Sequence, residues 1–176
     1  MKKYKAIAIP VTFAEGKPRF LTVRDRRFKD WIFVTGGCRR REIFNPLRCA
    51  LRELEEETRG VVALKKGEYT DFKFTVKENA TTELIYNVFV LFVDYSRNDQ
   101  YGLIKKFYEE KQKTQLKKIN KQPIKKTFDE NDYMSFDTLE EFNVRKRWGR
   151  IVDNVIKNPE FYACVSSMNR KTFSIK

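Results

Sequence analysis

The chain has 176 residues, 41% of them hydrophobic, which predicts one folded domain spanning residues 1–176. Its 37 Lys and Arg outnumber 24 Asp and Glu, giving a net charge of +13, and the absence of histidine excludes Ser-His-Asp triads, His-ligated zinc and HExxH proteases. The three separated cysteines argue against a disulfide framework, and no apolar run is long enough to span a membrane. We therefore expect a cytoplasmic protein without a signal peptide, whose partners are anionic.

The first part of the chain predicts a β-rich start followed by one strong helix. Apolar and β-branched runs indicate strands over residues 5–12, 19–24 and 31–34, the last ending at Gly36-Gly37. Asn45 is a suitable N-cap and Pro46 suits the first helical position. Gly60 is the expected left-handed residue that ends this helix.

The second part predicts strands over residues 61–64, 69–76, 82–93 and 133–136, a turn at 139–142, a helix at about 145–157 and a mixed tail from Pro159. Residues 101–127 form a lysine-rich insertion with nine lysines and two glutamates, a local net charge of +7. This segment is predicted to be a basic helix or to become ordered on binding. Trp148 and the apolar stripe after it are expected to pack in the core. The element order predicts an α/β fold with a mixed sheet and helices on both faces.

One helix face concentrates acidic residues. Glu53, Glu56 and Glu57 stand at positions i, i+3 and i+4, where like charges repel by about 0.2–0.5 kcal/mol per pair. Hard divalent cations such as Mg²⁺ prefer carboxylate oxygens, so a metal would relieve this repulsion. A solvated acidic face, paired with arginines of the same helix, explains the spacing equally well.

The stretch Arg52-Glu53-Leu54-Glu55-Glu56-Glu57 resembles the REUxEE core of the Nudix box, Gx5Ex7REUxEExGU, of the Nudix hydrolase superfamily. The resemblance extends over roughly residues 5–95 and 130–157 and implies a Nudix-like α/β/α sandwich. Two departures stand out. Phe44 occupies the position of the first box glutamate, for which Glu42 is the nearest substitute, and Arg59 replaces a glycine that is shifted to Gly60.

The resemblance also implies roles for individual residues. Glu53, Glu56 and Glu57, with the Gly37 carbonyl, would hold Mg²⁺ or Mn²⁺. Glu53 would act as general base on water, oriented by Arg52, and Glu56 would be catalytic. A distal carboxylate often completes such sites, and we expect Glu130 to supply it, with Asp132 as the second choice. The implied reaction is attack of water on a pyrophosphate linked to a nucleoside or similar group.

The substrate is predicted from the cations. Those expected to bind RNA or polyphosphate are Arg24, Arg39, Arg40, Arg41, Lys105, Lys106, Lys117, Lys118, Lys125 and Lys126. The leading hypothesis is mRNA decapping of the viral type, which releases m7GDP and 5′-monophosphate RNA. The alternatives are a diphosphoinositol polyphosphate or dinucleoside polyphosphate hydrolase and a non-catalytic RNA-binding Nudix module. ADP-ribose and NADH also remain possible substrates. The sequence leaves the oligomeric state undetermined.

Overall fold

A computed structural model describes residues 1–167, which fold into a mixed α/β structure. Within these residues one sheet has seven strands: β1 Lys2–Thr12, β2 Arg19–Asp25, β3 Trp31–Ile32, β4 Val34–Gly37, β5 Tyr69–Lys77, β6 Glu83–Phe92 and β7 Asn131–Asp137. Five helices accompany it: α1 Pro46–Glu57, α2 Arg97–Ile119, α3 Leu139–Asn143, α4 Gly149–Ile156 and α5 Pro159–Ser167. The predicted α/β class with a mixed sheet is confirmed.

Strand β1 organises the sheet. It pairs in parallel with β6 along one edge, from Lys2 opposite Glu83 to Val11 opposite Phe92. Its other edge is divided between β4 and β2, both antiparallel. Strand β2 also pairs with β3 and with β7, whereas β5 pairs with β6 at the opposite edge. This arrangement brings β7, which is distant in sequence, close to the hairpin between β2 and β3.

Helices cover both faces of the sheet. Successive residues of a strand point to opposite faces, and residues 6–12 of β1 are all buried. Gly36 of β4 pairs with Ala6 of β1, and one face of the sheet contacts α1 here. The other face carries Phe20 and Phe72, whose rings pack against Phe161 of α5. The predicted arrangement of helices on both faces is therefore observed.

The lysine-rich segment is helical in the structure. Helix α2 begins at Arg97 and ends at Ile119, so it starts before the predicted insertion and ends earlier. Ser96 caps its N-terminus by accepting a hydrogen bond from the Asp99 amide. Only Gln100 and Phe107 are buried along its 23 residues, and it packs mainly against β7. Most of its surface is consequently exposed.

The predicted strand over residues 61–64 is wrong. Residues 61 and 62 form bends and residue 64 forms only an isolated bridge, because the Thr58 hydroxyl accepts a hydrogen bond from the Val62 amide at 3.1 Å and holds the chain against the end of α1. The run at 31–34 divides into β3 and β4, which pair with different neighbours.

The C-terminal predictions need three corrections. The helix expected at about 145–157 begins only at Gly149, and the expected turn at 139–142 is the short helix α3. Trp148 is 43% exposed instead of buried, although Val152 and Val155 in the stripe after it are fully buried. The tail predicted from Pro159 forms α5 as far as Ser167, and residues 168–176 of this tail lie outside the described residues. No helix within residues 1–167 has both the length and the apolar character needed to cross a bilayer.

Candidate active site

Helix α1 begins and ends as its sequence predicts. The Asn45 side chain accepts a hydrogen bond from the Arg48 amide, and Pro46 occupies the first helical position. At the other end both Arg59 and Gly60 have positive φ, 58° and 79°. The predicted glycine stop is observed, but the chain enters the left-handed region one residue earlier, at an arginine.

The acidic side chains of α1 lie against the sheet. Glu53 and Glu57 are only 8% and 7% exposed, on the same side of the helix as Ala50 and Leu54. A Cβ atom at Gly36 would lie 2.0 Å from the carboxyl carbon of Glu53. Only glycine can therefore occupy this position of β4 while the Glu53 carboxylate stays in place.

Arg52 connects the acids to the preceding loop. Its Nη1 donates to Glu53 Oε1 at 2.9 Å and to Glu56 Oε2 at 3.1 Å. Its Nη2 donates to the Gly37 carbonyl at 3.0 Å. A carbonyl oxygen has two lone pairs, so this bond leaves Gly37 able to accept one further interaction. Arg52 thus fixes the orientation of two carboxylates and of the loop backbone.

Glu42, not residue 44, provides the acid of the loop. Phe44 is 96% exposed, whereas Glu42 is 2% exposed and receives two hydrogen bonds of 2.9 Å from Arg52. It also accepts a hydrogen bond from the Arg39 amide. The hydrogen bonds from Arg52 lower the pKa of Glu42 to about 2. The displaced acid therefore reaches the Arg52 side chain despite its shift of two positions in sequence.

Glu130 is held near α1 by its two neighbours. The Asn131 side chain donates to the Glu57 carbonyl at 3.0 Å, and the Arg59 guanidinium donates to the Asn131 carbonyl at 2.6 Å. Arg59 also forms an ion pair of 3.0 Å with Asp129. Both flanks of Glu130 are thereby bound to the end of α1.

The carboxylates influence one another electrostatically. Burial raises the pKa of Glu57 well above its ordinary value, and the negative charges of Glu53 and Glu130 raise it further. Burial also raises the pKa of Glu53 against the opposing effect of Arg52, and it raises that of Glu130 together with the charge of Glu56. The structure therefore brings Glu130 into the field of the α1 acids.

The donor set fits a divalent metal ion. Within residues 1–167 no three acidic or cysteine side chains already converge on one point as a preformed metal cluster. Buried carboxylates that raise one another's pKa would nevertheless be stabilised by a nearby hard cation. The residues that would hold it are Glu53, Glu56, Glu57 and Glu130, with the Gly37 carbonyl.

Asp132 and Arg24 are engaged with each other. Arg24 donates two hydrogen bonds to the Asp132 carboxylate, at 2.8 and 2.9 Å, and Lys29 donates a third. The Arg24 guanidinium also lies 4.3 Å from the centre of the Tyr133 ring. These contacts give no support to Asp132 as the distal carboxylate or to Arg24 as a substrate ligand.

The remaining cations divide into near and distant groups. Arg39 lies 3.6 Å from Glu56, and the exposed Arg40 and Arg41 follow it in the same loop. Lys118 forms an ion pair with Asp129, beside Glu130. The exposed Lys117, Lys125 and Lys126 line cavities in the same region as Lys118. Lys105 and Lys106 lie about 20 Å from Lys118 along the axis of α2, given the rise of about 1.5 Å per residue.

Sequence reasoning did not identify Arg59 and Asn131 as residues that hold the site. The one available signal was the replacement of the expected glycine by Arg59. Its side chain is 3% exposed, and its guanidinium lies 5.4 Å from the centre of the Phe107 ring of α2. Arg59 therefore links α1, α2 and the segment before β7.

Comparisons with known proteins concern the family and the fold of this chain. A family model described as NUDIX domain matches residues 2–146. No curated protein matches the sequence. Similar solved structures include the NUDIX domain of Shewanella oneidensis NrtR complexed with ADP ribose, with a TM-score of 0.57, 11% identity, and coverage of 89% of this chain and 84% of that one.

Two further solved structures share the fold. An Ap4A hydrolase of C. elegans, in a binary complex, has a TM-score of 0.55 and 13% identity, covering 94% of this chain and 99% of that one. A NUDIX hydrolase from Nitrosomonas europaea has a TM-score of 0.55 and 12% identity, covering 93% and 90% of the two chains. At these identities the likeness concerns the fold.

Proposed function

We propose that this chain, which belongs to the NUDIX domain family and is a hydrolase acting on pyrophosphate bonds, removes the cap from RNA. Water would attack a phosphorus of the cap bridge, and the bond from that phosphorus to the bridging oxygen would break. The products would be m7GDP and 5′-monophosphate RNA. We further propose the cytoplasm as the place of this reaction.

The observation that carries this proposal is the attachment of the lysine-rich helix to the carboxylate site. Lys118, in the last turn of α2, pairs with Asp129, the residue before Glu130, so the C-terminal end of α2 lies at the candidate site and the rest of the helix extends away from it. Lys105 and Lys106 lie about 20 Å from Lys118 along the axis of α2 and on other sides of the helix. A small nucleotide cannot reach both ends of this lysine-rich helix, whereas an RNA chain with a charge on every nucleotide can.

In this proposal the residues of α1 activate the attacking water. Glu53 accepts the proton of the attacking water, and its carboxylate orientation is fixed by Arg52 on one side and by Gly36 on the other. Mg²⁺ or Mn²⁺, when bound by the carboxylates, would supply the positive charge that offsets charge developing on the phosphate oxygens. Arg39 is close enough to Glu56 to contact a phosphate bound beside it.

A dinucleoside polyphosphate is the second candidate substrate. It also contains a phosphate bridge between two nucleosides, and the cations nearest the site, Arg39 and Lys118, suit such a bridge without the rest of α2. The shared fold with the Ap4A hydrolase of C. elegans is compatible with this reading. A diphosphoinositol polyphosphate is a third compound to test, because it is strongly anionic and contains no nucleobase.

The test is product analysis with four substrates in Mg²⁺ or Mn²⁺: cap-labelled RNA, free cap dinucleotide, Ap4A and a diphosphoinositol polyphosphate. We expect m7GDP from capped RNA at a kcat/KM well above that for the free cap. Glu56→Gln should reduce the rate about a thousand-fold, the equivalent of about 4 kcal/mol, without loss of RNA affinity. Intact capped RNA beside hydrolysed small substrates would overturn decapping. Absence of hydrolysis with retained RNA binding would instead indicate a non-catalytic RNA-binding module.

A further inference from the structure

A cavity of about 550 Å³ opens beside Glu130, and its aromatic residues have no role in the site described so far. Its wall is formed by the turn after β2, the C-terminal end of α2 with the residues after it, and the start of α4. The side chains that matter are Arg26, Phe28, Lys118, Lys126, Glu130 and Trp148. Cations, two aromatic rings and a candidate catalytic acid thus share one cavity.

The two aromatic rings are exposed in this cavity. Phe28 is 60% exposed and Trp148 is 43% exposed, and their ring centroids lie 6.4 Å apart in an edge-to-face contact. Trp31 shows the contrast, because it is 9% exposed and lies under the Arg145 guanidinium. Large rings left half in water at the wall of a cavity offer a flat apolar surface to a ligand.

Backbone contacts hold both rings in position. The Trp148 amide donates to the Trp31 carbonyl at 2.9 Å. Lys146 donates to the Phe28 carbonyl at 3.3 Å and forms an ion pair of 3.1 Å with Asp30. The turn that carries Phe28 and the segment that carries Trp148 are therefore bound to each other before a ligand arrives, which reduces the entropy lost on binding.

We propose that Phe28 and Trp148 form the platform on which the nucleobase of the substrate stacks. This inference rests on the proposed function, because it requires a substrate that contains a nucleoside. The ligand of the cavity would be the nucleoside diphosphate part of that substrate. The base contacts the rings, and the phosphates lie between Lys126 and the Glu130 side of the cavity. Stacking on aromatic rings accepts any base, so the platform provides affinity for the nucleoside end and leaves base selection to other contacts.

The first experiment is titration of intrinsic fluorescence. Within residues 1–167 tryptophan occurs at positions 31 and 148, and only Trp148 is substantially exposed. GDP, m7GDP and ADP should quench the emission saturably, whereas inorganic pyrophosphate and ribose 5-phosphate should not. Trp148→Phe should remove this quenching. Equal quenching by base-free compounds, or quenching that survives in Trp148→Phe, would overturn the inference.

The second experiment measures KM with matched variants. Phe28→Leu and Trp148→Leu should each raise KM for nucleotide substrates about 5- to 100-fold and leave that for a diphosphoinositol polyphosphate unchanged. Tyr101→Leu is the control, because Tyr101 is 57% exposed on α2 outside the cavity lining. Thermal melting of each variant identifies a purely structural role, which would lower Tm and leave KM unchanged for both substrate classes.

The two proposals can fail separately. Cleavage of capped RNA with unchanged KM in both leucine variants would overturn the aromatic platform and leave decapping intact. Nucleotide-dependent quenching of Trp148 without cleavage of capped RNA would overturn decapping and support the platform.

Discussion

Helices α1 and α2 carry opposite charges and expose them to different extents. In α1 two glutamates are less than a tenth exposed, and Arg52 binds three carboxylates at once. In α2 the lysines are mostly exposed, and only Gln100 and Phe107 are buried. Charges in a desolvated setting act strongly over a few ångströms, whereas exposed charges attract ligands over about one Debye length and are screened by salt. The buried acids of α1 therefore suit catalysis, and the exposed lysines of α2 suit the attraction of an anionic substrate.

The largest effect should come from disturbing the acidic helix at the sheet. Gly36→Ala would place a methyl group 2.0 Å from the Glu53 carboxyl carbon and force the carboxylate to move, so we expect kcat to fall about 100-fold. Gly102→Ala is the control, since its Cβ would meet nothing within 4 Å and Gly102 lies on α2 away from the acids of α1. Steady-state kinetics of both variants checks this. Equal losses in the two variants would show that Gly36 does not act through Glu53.

The second prediction concerns the loop acid that binds Arg52. The hydrogen bonds from Arg52 place the pKa of Glu42 at about 2 in the folded state, below its ordinary value of 4.5. The corresponding stability, about 3 kcal/mol, is fully present above pH 4.5 and is lost as the pH falls towards 2. The free energies of unfolding of wild type and Glu42→Gln, measured with denaturant, should therefore differ most at pH 6 and by only about a quarter as much near pH 2.5. A constant difference across this range would contradict the assignment.

The third prediction tests the connection between the two helices. Arg59→Gly removes the contacts with Asp129 and Asn131 that flank Glu130, so we expect kcat to fall about 10-fold and unfolding stability to fall by about 1–2 kcal/mol. Lys121→Gly is the control, because Lys121 also has a positive φ, 54°, but is exposed. Both changes relieve a left-handed backbone, so this gain cancels between them. If both variants keep full activity, Arg59 does not position Glu130.

The smallest effect per residue is expected on α2. Replacing Lys105, Lys106 and Lys117 by alanine should weaken long RNA binding and reduce the slope of log K against log salt by about 0.7 for each lysine that contacts a phosphate. Kinetics with free cap dinucleotide should not change. The control set is Lys73, Lys77 and Lys157, three exposed lysines outside α2 whose replacement alters the net charge equally. Identical slopes for the two triple variants would show that the lysines of α2 do not attract RNA specifically.

Local sequence signals were sufficient for the parts of the protein that depend on neighbouring residues. Asn45 and Pro46 indicated where α1 begins, and the spacing of Glu53, Glu56 and Glu57 placed three acids on one side of it. The same Asn-Pro signal occurs at Asn158-Pro159, where α5 begins and where no helix was predicted. Capping and periodicity act within one or two helical turns, so they can be recognised without the rest of the chain.

Contacts between residues that are far apart in sequence depend on the fold. The pairing of β2 with β7 brings residue 130 to the hairpin near residue 28, and the bond between the Trp148 amide and the Trp31 carbonyl brings Trp148 to the same cavity. The apolar run at 61–64 likewise begins as a bend instead of a strand because Thr58 binds Val62 to the end of α1. Sequence pattern predicts which face of an element is apolar, but strand order and packing determine which neighbour that face meets, and these depend on the whole core.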